Sequence, residues 1–290
     1  MTAYDIFLAP FADYGFMRRA LVACLCLGLG SGPIGVFLML RRMSLMGDAM
    51  SHAVLPGAAI GYLVAGSLSL TAMGIGGLVA GLSVALLSGV VSRMTVLQED
   101  ASFASFYLAS LALGVLIVSL RGSNIDLLHV LFGTILAIDT PALLQIGTIT
   151  SLTLLALAVI YRPLVTECFD PGYLRAVGGR GPLYHFLFLL LVVLNLVASF
   201  QALGTLMAVG LMMLPAAIAQ LWSRSLPQMM AIAAATATAS GYLGLVASYH
   251  LELASGPTII MTAASLYALS ILFAPSGIAR RFFPRPHLKG

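Results

Sequence analysis

The chain has 290 residues, of which 60% are hydrophobic and 8% charged, with a formal net charge of +4 and a mean hydropathy of +1.05. That balance excludes a soluble globular domain and puts the whole chain, 1–290, in a membrane as one domain. The small positive charge fits arginines beside anionic lipid, so no nucleic-acid partner is expected.

Residues 1–18 carry Asp5 and Asp13, with no basic n-region and no small-residue cleavage site, so a cleavable signal peptide is not expected. They form either an amphipathic elbow along the membrane surface or an external start. Apolar runs of spanning length follow at 19–40, 46–65, 71–92, 101–120, 142–161, 183–200, 203–222, 228–249 and 257–279. An outer-membrane barrel would show alternating segments about half as long. The fold expected is therefore all-α, a polytopic bundle of eight or nine spanning helices. Its 29 glycines suit close helix packing in lipid.

Basic residues set the orientation. Arg280, Arg281, Arg285 and Lys289 place the tail, 280–290, in the cytoplasm. Stepping back one helix at a time brings Arg224, then Arg162, Arg175 and Arg180, then Arg93, then Arg41 and Arg42 to the same side. Arg18, Arg19 and Arg121 dissent.

A phosphate-binding loop needs a lysine after its glycine-rich turn, and the only lysine is Lys289. Neither His-Glu-x-x-His nor Gly-x-Ser-x-Gly occurs. The chain is not expected to be an enzyme, and uphill transport would draw on an ion gradient or a partner. Cys24, Cys26 and Cys168 read as unpaired packing residues.

The most informative stretch runs from Leu40 to Gly57 and carries Asp48 and His52 into an apolar segment. If Arg42 marks the membrane surface, a rise of about 1.5 Å per residue puts Asp48 about 9 Å deep and His52 about 15 Å deep. The latter is near the middle of a hydrocarbon core about 30 Å thick. Four residues apart, the two share a helix face. One reading is structural: Asp48, after Gly47, caps a helix starting at Ala49 and orients His52. The other is a transport site for a proton or a divalent metal, which the depth favours. Two side chains under-coordinate a metal, whereas a two-fold dimer would bring two carboxylates and two imidazoles together. Pro56 and Gly57 could break the helix and free carbonyls.

The polar stretch 161–180 is the longest cytoplasmic interruption, and the cytoplasmic loop it defines spans 162–181. Asp170 as N-cap, Pro171 at the first helical position and Gly178 as a stop define a helix of about two turns. It is either a solvated connector or a docking helix with Tyr173, Leu174 and Arg175 as contacts. The outer loops carry Asp126, His129 and Asp139, then His250 and Glu252, either as scattered polar loop residues or as cation guides. Glu99 and Asp100 read as a solvated or docking face, and Pro215 as a kink.

With these residues assembled, the sequence resembles the permease subunit of the bacterial ABC-type importers for zinc, manganese and related divalent metals. The resemblance covers nearly the whole chain. It rests on residues 40–57, Glu99-Asp100-Ala101, Asp126 to Gly133, Phe169-Asp170-Pro171 with Arg175-Ala176 and Gly178, Pro215-Ala-Ala217 and Ser255 to Thr258. The resemblance implies a homodimer in the inner membrane, served by two copies of a cytoplasmic ATPase and by an extracytoplasmic metal-binding protein. It implies that Asp48 and His52 line the metal path. It also implies that Asp170, Pro171, Tyr173, Leu174, Arg175 and Gly178 belong to a coupling helix seated in the ATPase, although Tyr173-Leu-Arg and Gly178-Gly179 depart slightly from the pattern. No permanently bound cofactor is expected; the metal is cargo, zinc first, then manganese or iron. A competing expectation is an ion-coupled secondary transporter with Asp48 and His52 as its relay.

Overall fold

The computed structural model describes residues 3–66, 70–120 and 135–278. It is helical throughout these residues. Two short helices, α1 (Ala3–Phe7) and α2 (Ala9–Asp13), precede α3 (Gly15–Leu40), α4 (Ser44–Ala65), α5 (Leu70–Met94) and α6 (Glu99–Leu120). A 3₁₀ turn at Ile135–Ala137 leads into α7 (Thr140–Phe169), followed by the short α8 (Pro171–Ala176). Then come α9 (Gly181–Leu203), α10 (Thr205–Trp222), α11 (Leu226–Leu251) and α12 (Ser255–Phe273). Among the described residues, nine helices thus run for 18 residues or more.

Seven of them are long and apolar enough to cross a membrane. In α4 the polar Asp48 and His52 dilute the apolar run, and in α10 the described apolar stretch is the shorter Ala208–Trp222. The sequence predicts an end to the fifth run at 161, but α7 continues through Arg162 and Pro163 to Phe169. Proline lacks only its own N–H donor, and here one interior proline does not end the helix. Pro33, Pro56 and Pro215 likewise lie inside α3, α4 and α10.

Small residues decide how the helices meet. In lipid there is no hydrophobic gain from pairing apolar faces, so helices associate where backbones can approach closely. Along the antiparallel pair α3 and α11, a Cβ on Gly28 would meet Thr238, one on Gly32 would meet Ala234, and one on Gly241 would meet Cys24. Gly35 faces the Met212 carbonyl of α10. The second seam joins α4 to α5, where Gly57 and Gly76 each abut the other's carbonyl and Gly61 abuts that of Ala72.

Polar ties reinforce the interior. Asn195, 1% exposed, donates from Nδ2 to Thr153 Oγ1 at 2.7 Å and to the Leu191 carbonyl at 2.9 Å. Thr150 Oγ1 donates to the Cys26 carbonyl at 3.1 Å. These bonds tie α7 to α9 and to α3. Where α10 and α12 end together, Trp222 Nε1 donates to Ser270 Oγ at 3.0 Å.

At the end of the bundle away from Arg41, the start of the chain is fastened to α11. The Tyr242 hydroxyl donates to the Phe7 carbonyl at 2.8 Å, and His250 Nε2 lies 2.9 Å from the Ile6 carbonyl. Phe11 stacks on Tyr242 with ring centroids 5.4 Å apart.

Candidate functional site

The site is built on the first turns of α4. After α3 ends, Arg42 adopts a left-handed conformation (φ 59°) and turns the chain directly into the next helix. That helix starts at Ser44, with Met43 at its N-cap and no side-chain cap. Asp48 is therefore an interior helical residue, which overturns the reading of it as the cap of a helix starting at Ala49. Counted from Ser44, Asp48 lies about 6 Å and His52 about 12 Å along the axis, somewhat shallower than Arg42 as reference implied. His52 Nε2 stands 3.9 Å from Asp48 Oδ1. The Ser51 hydroxyl donates to the Asp48 carbonyl at 2.7 Å. Pro56 leaves α4 continuous, but with no N–H it cannot donate to the carbonyl four residues earlier, which belongs to His52.

Helix α6 packs against α4 and completes the site. Ser110 Oγ donates to the Ala53 carbonyl at 3.3 Å, and a Cβ on Gly114 would meet Pro56. The His52 imidazole stacks on the Tyr107 ring at 6.5 Å between centroids and 26° between planes. Tyr107 escaped the sequence reading, because only the contact between α4 and α6 makes it a neighbour of His52. A groove of about 400 Å³ runs between the two helices, lined by Leu45, Asp48, Asp100, Phe103 and Tyr107. Asp100 thus opens onto the same groove as Asp48; Glu99 contributes no described side chain. The Asp48 side chain is 57% exposed and that of His52 33%, so the pair sits on the outer face of the protomer. Among the described residues no three His, Cys, Asp or Glu side chains converge. One chain therefore presents a carboxylate and an imidazole with an open third side.

The second surface is α8. Asp170 Oδ1 accepts from the Tyr173 N–H at 2.8 Å, capping the helix, and Gly178 ends it at φ 77°, a conformation glycine adopts freely. Tyr173 and Arg175 are exposed, and Leu174 is only half buried. Leu174 lies against Gly179 of the same loop, where a Cβ would collide with it, and keeps part of its surface open beside Tyr173. Phe169 and Val177, each 67% exposed, flank Tyr173 at 60% and extend the apolar surface beyond the residues picked from sequence.

The remaining candidates separate cleanly. Asp139 caps α7, accepting from the Ala142 N–H at 2.9 Å. Glu252 ends α11 in a left-handed conformation, and His250 holds the N-terminal segment. All three do structural work at helix ends. Asp126, His129, Arg121 and the tail 280–290 lie outside the described residues. Cys24, Cys26 and Cys168 are free.

Residues 13–274 match the ABC 3 transport family. The chain belongs to this family. It is 36% identical, over 98% of its length and 96% of the relative's, to the manganese transport system membrane protein MntC of Halalkalibacterium halodurans. It is 31% identical, over 93% of its length and 89% of the relative's, to the chelated iron transport system membrane protein YfeD of Yersinia pestis. Among solved structures it resembles a chain of PsaBC from Streptococcus pneumoniae in complex with Fab. The TM-score there is 0.83 at 31% identity, covering 96% of this chain and 98% of that one. Family and helices together make this a multi-pass inner-membrane protein.

Proposed function

We propose that this chain is the permease of an ATP-driven importer that brings divalent transition metals into the cytoplasm, manganese first and iron next. The observation that carries the reading is the Asp48–His52 pair on the α4 face beside α6. A carboxylate and an imidazole facing hydrocarbon would be costly, while Leu45, 83% exposed, and Leu108, 54% exposed, make the surrounding surface apolar. A second copy related by a two-fold axis covers that face and supplies the missing donors as a second Asp48 and His52.

The chemistry suits a transient ligand set. In transit the ion exchanges water for the Asp48 carboxylate and the neutral His52 imidazole, and a proton on His52 competes with it. The freed His52 carbonyl adds an oxygen donor, and oxygen-rich sets suit manganese. The family resemblance in the sequence puts zinc first; the relatives named for manganese and chelated iron favour those metals instead.

Energy comes from a separate cytoplasmic ATPase dimer seated on α8 through Tyr173, Leu174, Arg175 and Val177, within the coupling segment from Asp170 and Pro171 to Gly178, with Phe169 beside it. An extracytoplasmic metal-binding protein delivers the ion at the opposite end. Nucleotide binding moves the two α8 segments and switches the packed helices between outward-open and inward-open states.

The test is competitive uptake of manganese, iron and zinc in metal-starved cells making the chain with its ATPase and binding protein, wild type against His52→Ala at equal membrane levels. Manganese uptake that disappears in the variant is the expected result. Unchanged uptake would remove His52 from the path, and uptake without the ATPase would favour the ion-coupled alternative.

A further inference from the structure

At the end of the bundle nearest α8, two opposite charges lie against the same helix about two turns apart, each with a buried polar atom that lacks a hydrogen-bond partner. Arg41 directly follows the last residue of α3. Its guanidinium sits 5.6 Å from the centre of the Phe188 ring of α9, and its Nη1 is buried without a hydrogen-bond partner. Glu167 lies in the last turn of α7, and its Oε2 is likewise buried without a partner. The carboxylate presses on Gly181, the first residue of α9, where any Cβ would collide with it. Both groups act electrostatically on the Cys168 thiol, in opposite senses. The ion pair between His52 and Asp48 involves neither of them.

Each charge therefore has a substitute for its natural partner: Arg41 the face of an aromatic ring, Glu167 the positive N-terminal end of α9. A buried charge short of its counter-charge is costly, and a direct Arg41–Glu167 bond is a competing arrangement built from the same two side chains. The backbone gives that competition a direction. Glu167 stands three residues before Asp170, the cap of α8, while Arg41 adjoins Arg42, the left-handed link into α4.

We propose that Arg41 and Glu167 are a positioning pair for transport, apart in this state and joined in the other. Movement of the α8 segment is thereby carried across the α3–α4 link to the helix that holds Asp48 and His52. The pair touches no cargo and acts through α4. This inference rests on the importer reading above, since it needs a partner that moves α8.

The experiment uses the chain reconstituted in liposomes with its ATPase. Glu167→Gln and Arg41→Gln should each cut manganese moved per ATP hydrolysed by about tenfold, the size of a typical coupling energy. Manganese binding at Asp48 and His52, read by electron paramagnetic resonance, should stay unchanged. The reversed pair, Arg41→Glu with Glu167→Arg, should regain most of the loss. Wild-type coupling in the single variants, or a reversed pair no better than either one, would overturn the inference. Loss of manganese binding in the single variants would also overturn it, since the pair would then be structural. A second measurement is independent of transport and of how the charge variants fold. With Cys168→Ala, the substitutions Arg41→Cys and Glu167→Cys should cross-link in a nucleotide-dependent way, and equal yields with and without nucleotide count against the pair. If the wild type moves no metal while the cross-link still responds to nucleotide, the importer reading fails and the pair stands.

Discussion

Helices α3 and α6 have similar lengths and apolar compositions, yet 72% of the α3 span is buried inside the protomer and only 17% of the α6 span. Helix α3 is the hub: α7, α9, α10 and α11 all pack on it, through glycines and the Thr150 tie. Helix α6 touches chiefly α4 and α5 and shows its other side outward. The ionisable pair lies by the exposed helix. The difference teaches that packing and ionisable chemistry are housed apart in this protein, with the closed side holding the fold and the open side carrying the Asp48–His52 pair.

If that division is right, the two sides should answer differently to substitution. The largest effect is expected from Asp48→Ala combined with His52→Ala: manganese uptake should fall to background while the melting temperature in detergent stays near wild type, since exposed positions cost within about 0.5 kcal/mol. A large drop in melting temperature would break the comparison. On the closed side, Gly35→Val drives methyl groups into the Met212 carbonyl. It should destabilise by about 3 kcal/mol, at the upper end for overpacking, with melting lowered and uptake per folded molecule retained. Tyr107→Leu removes a ring stack worth about 1 kcal/mol, so the metal concentration for half-maximal uptake should rise a few-fold with only a slight fall in melting. The smallest effect is expected from Asp139→Ala, which loses an N-cap worth about 1 kcal/mol and should lower melting slightly without touching uptake.

Much of this was legible in the sequence because a bilayer imposes a simple rule on the chain. Unbroken apolar runs locate the helices, and the charged interruptions at Arg41-Arg42 and Asp170-Pro171 locate their ends. Asp48 and His52 stood out because hydrocarbon makes every ionisable group conspicuous. The misreadings came from features the rule does not reach. The fifth apolar run ended at Tyr161, before Arg162 and Pro163, but a helix leaving the bilayer can carry both. Asp48 after Gly47 looked like a cap, but the left-handed turn at Arg42 lets α4 begin earlier. The part of Tyr107 depends on which helices meet, and a bundle rich in glycine and alanine gives little periodicity from which to read that.

The fastening of Ile6 and Phe7 to α11 also bears on how the protein is made. The Phe7 carbonyl and the Tyr242 hydroxyl are 235 positions apart, so this segment has no seat until α11 has been synthesised. The glycine-lined flank of α3 waits for the same late helix. The nascent permease must therefore cross most of its synthesis with its central helix half clad. A chain cut short before Leu226 would present that bare flank to the quality-control proteases of the membrane.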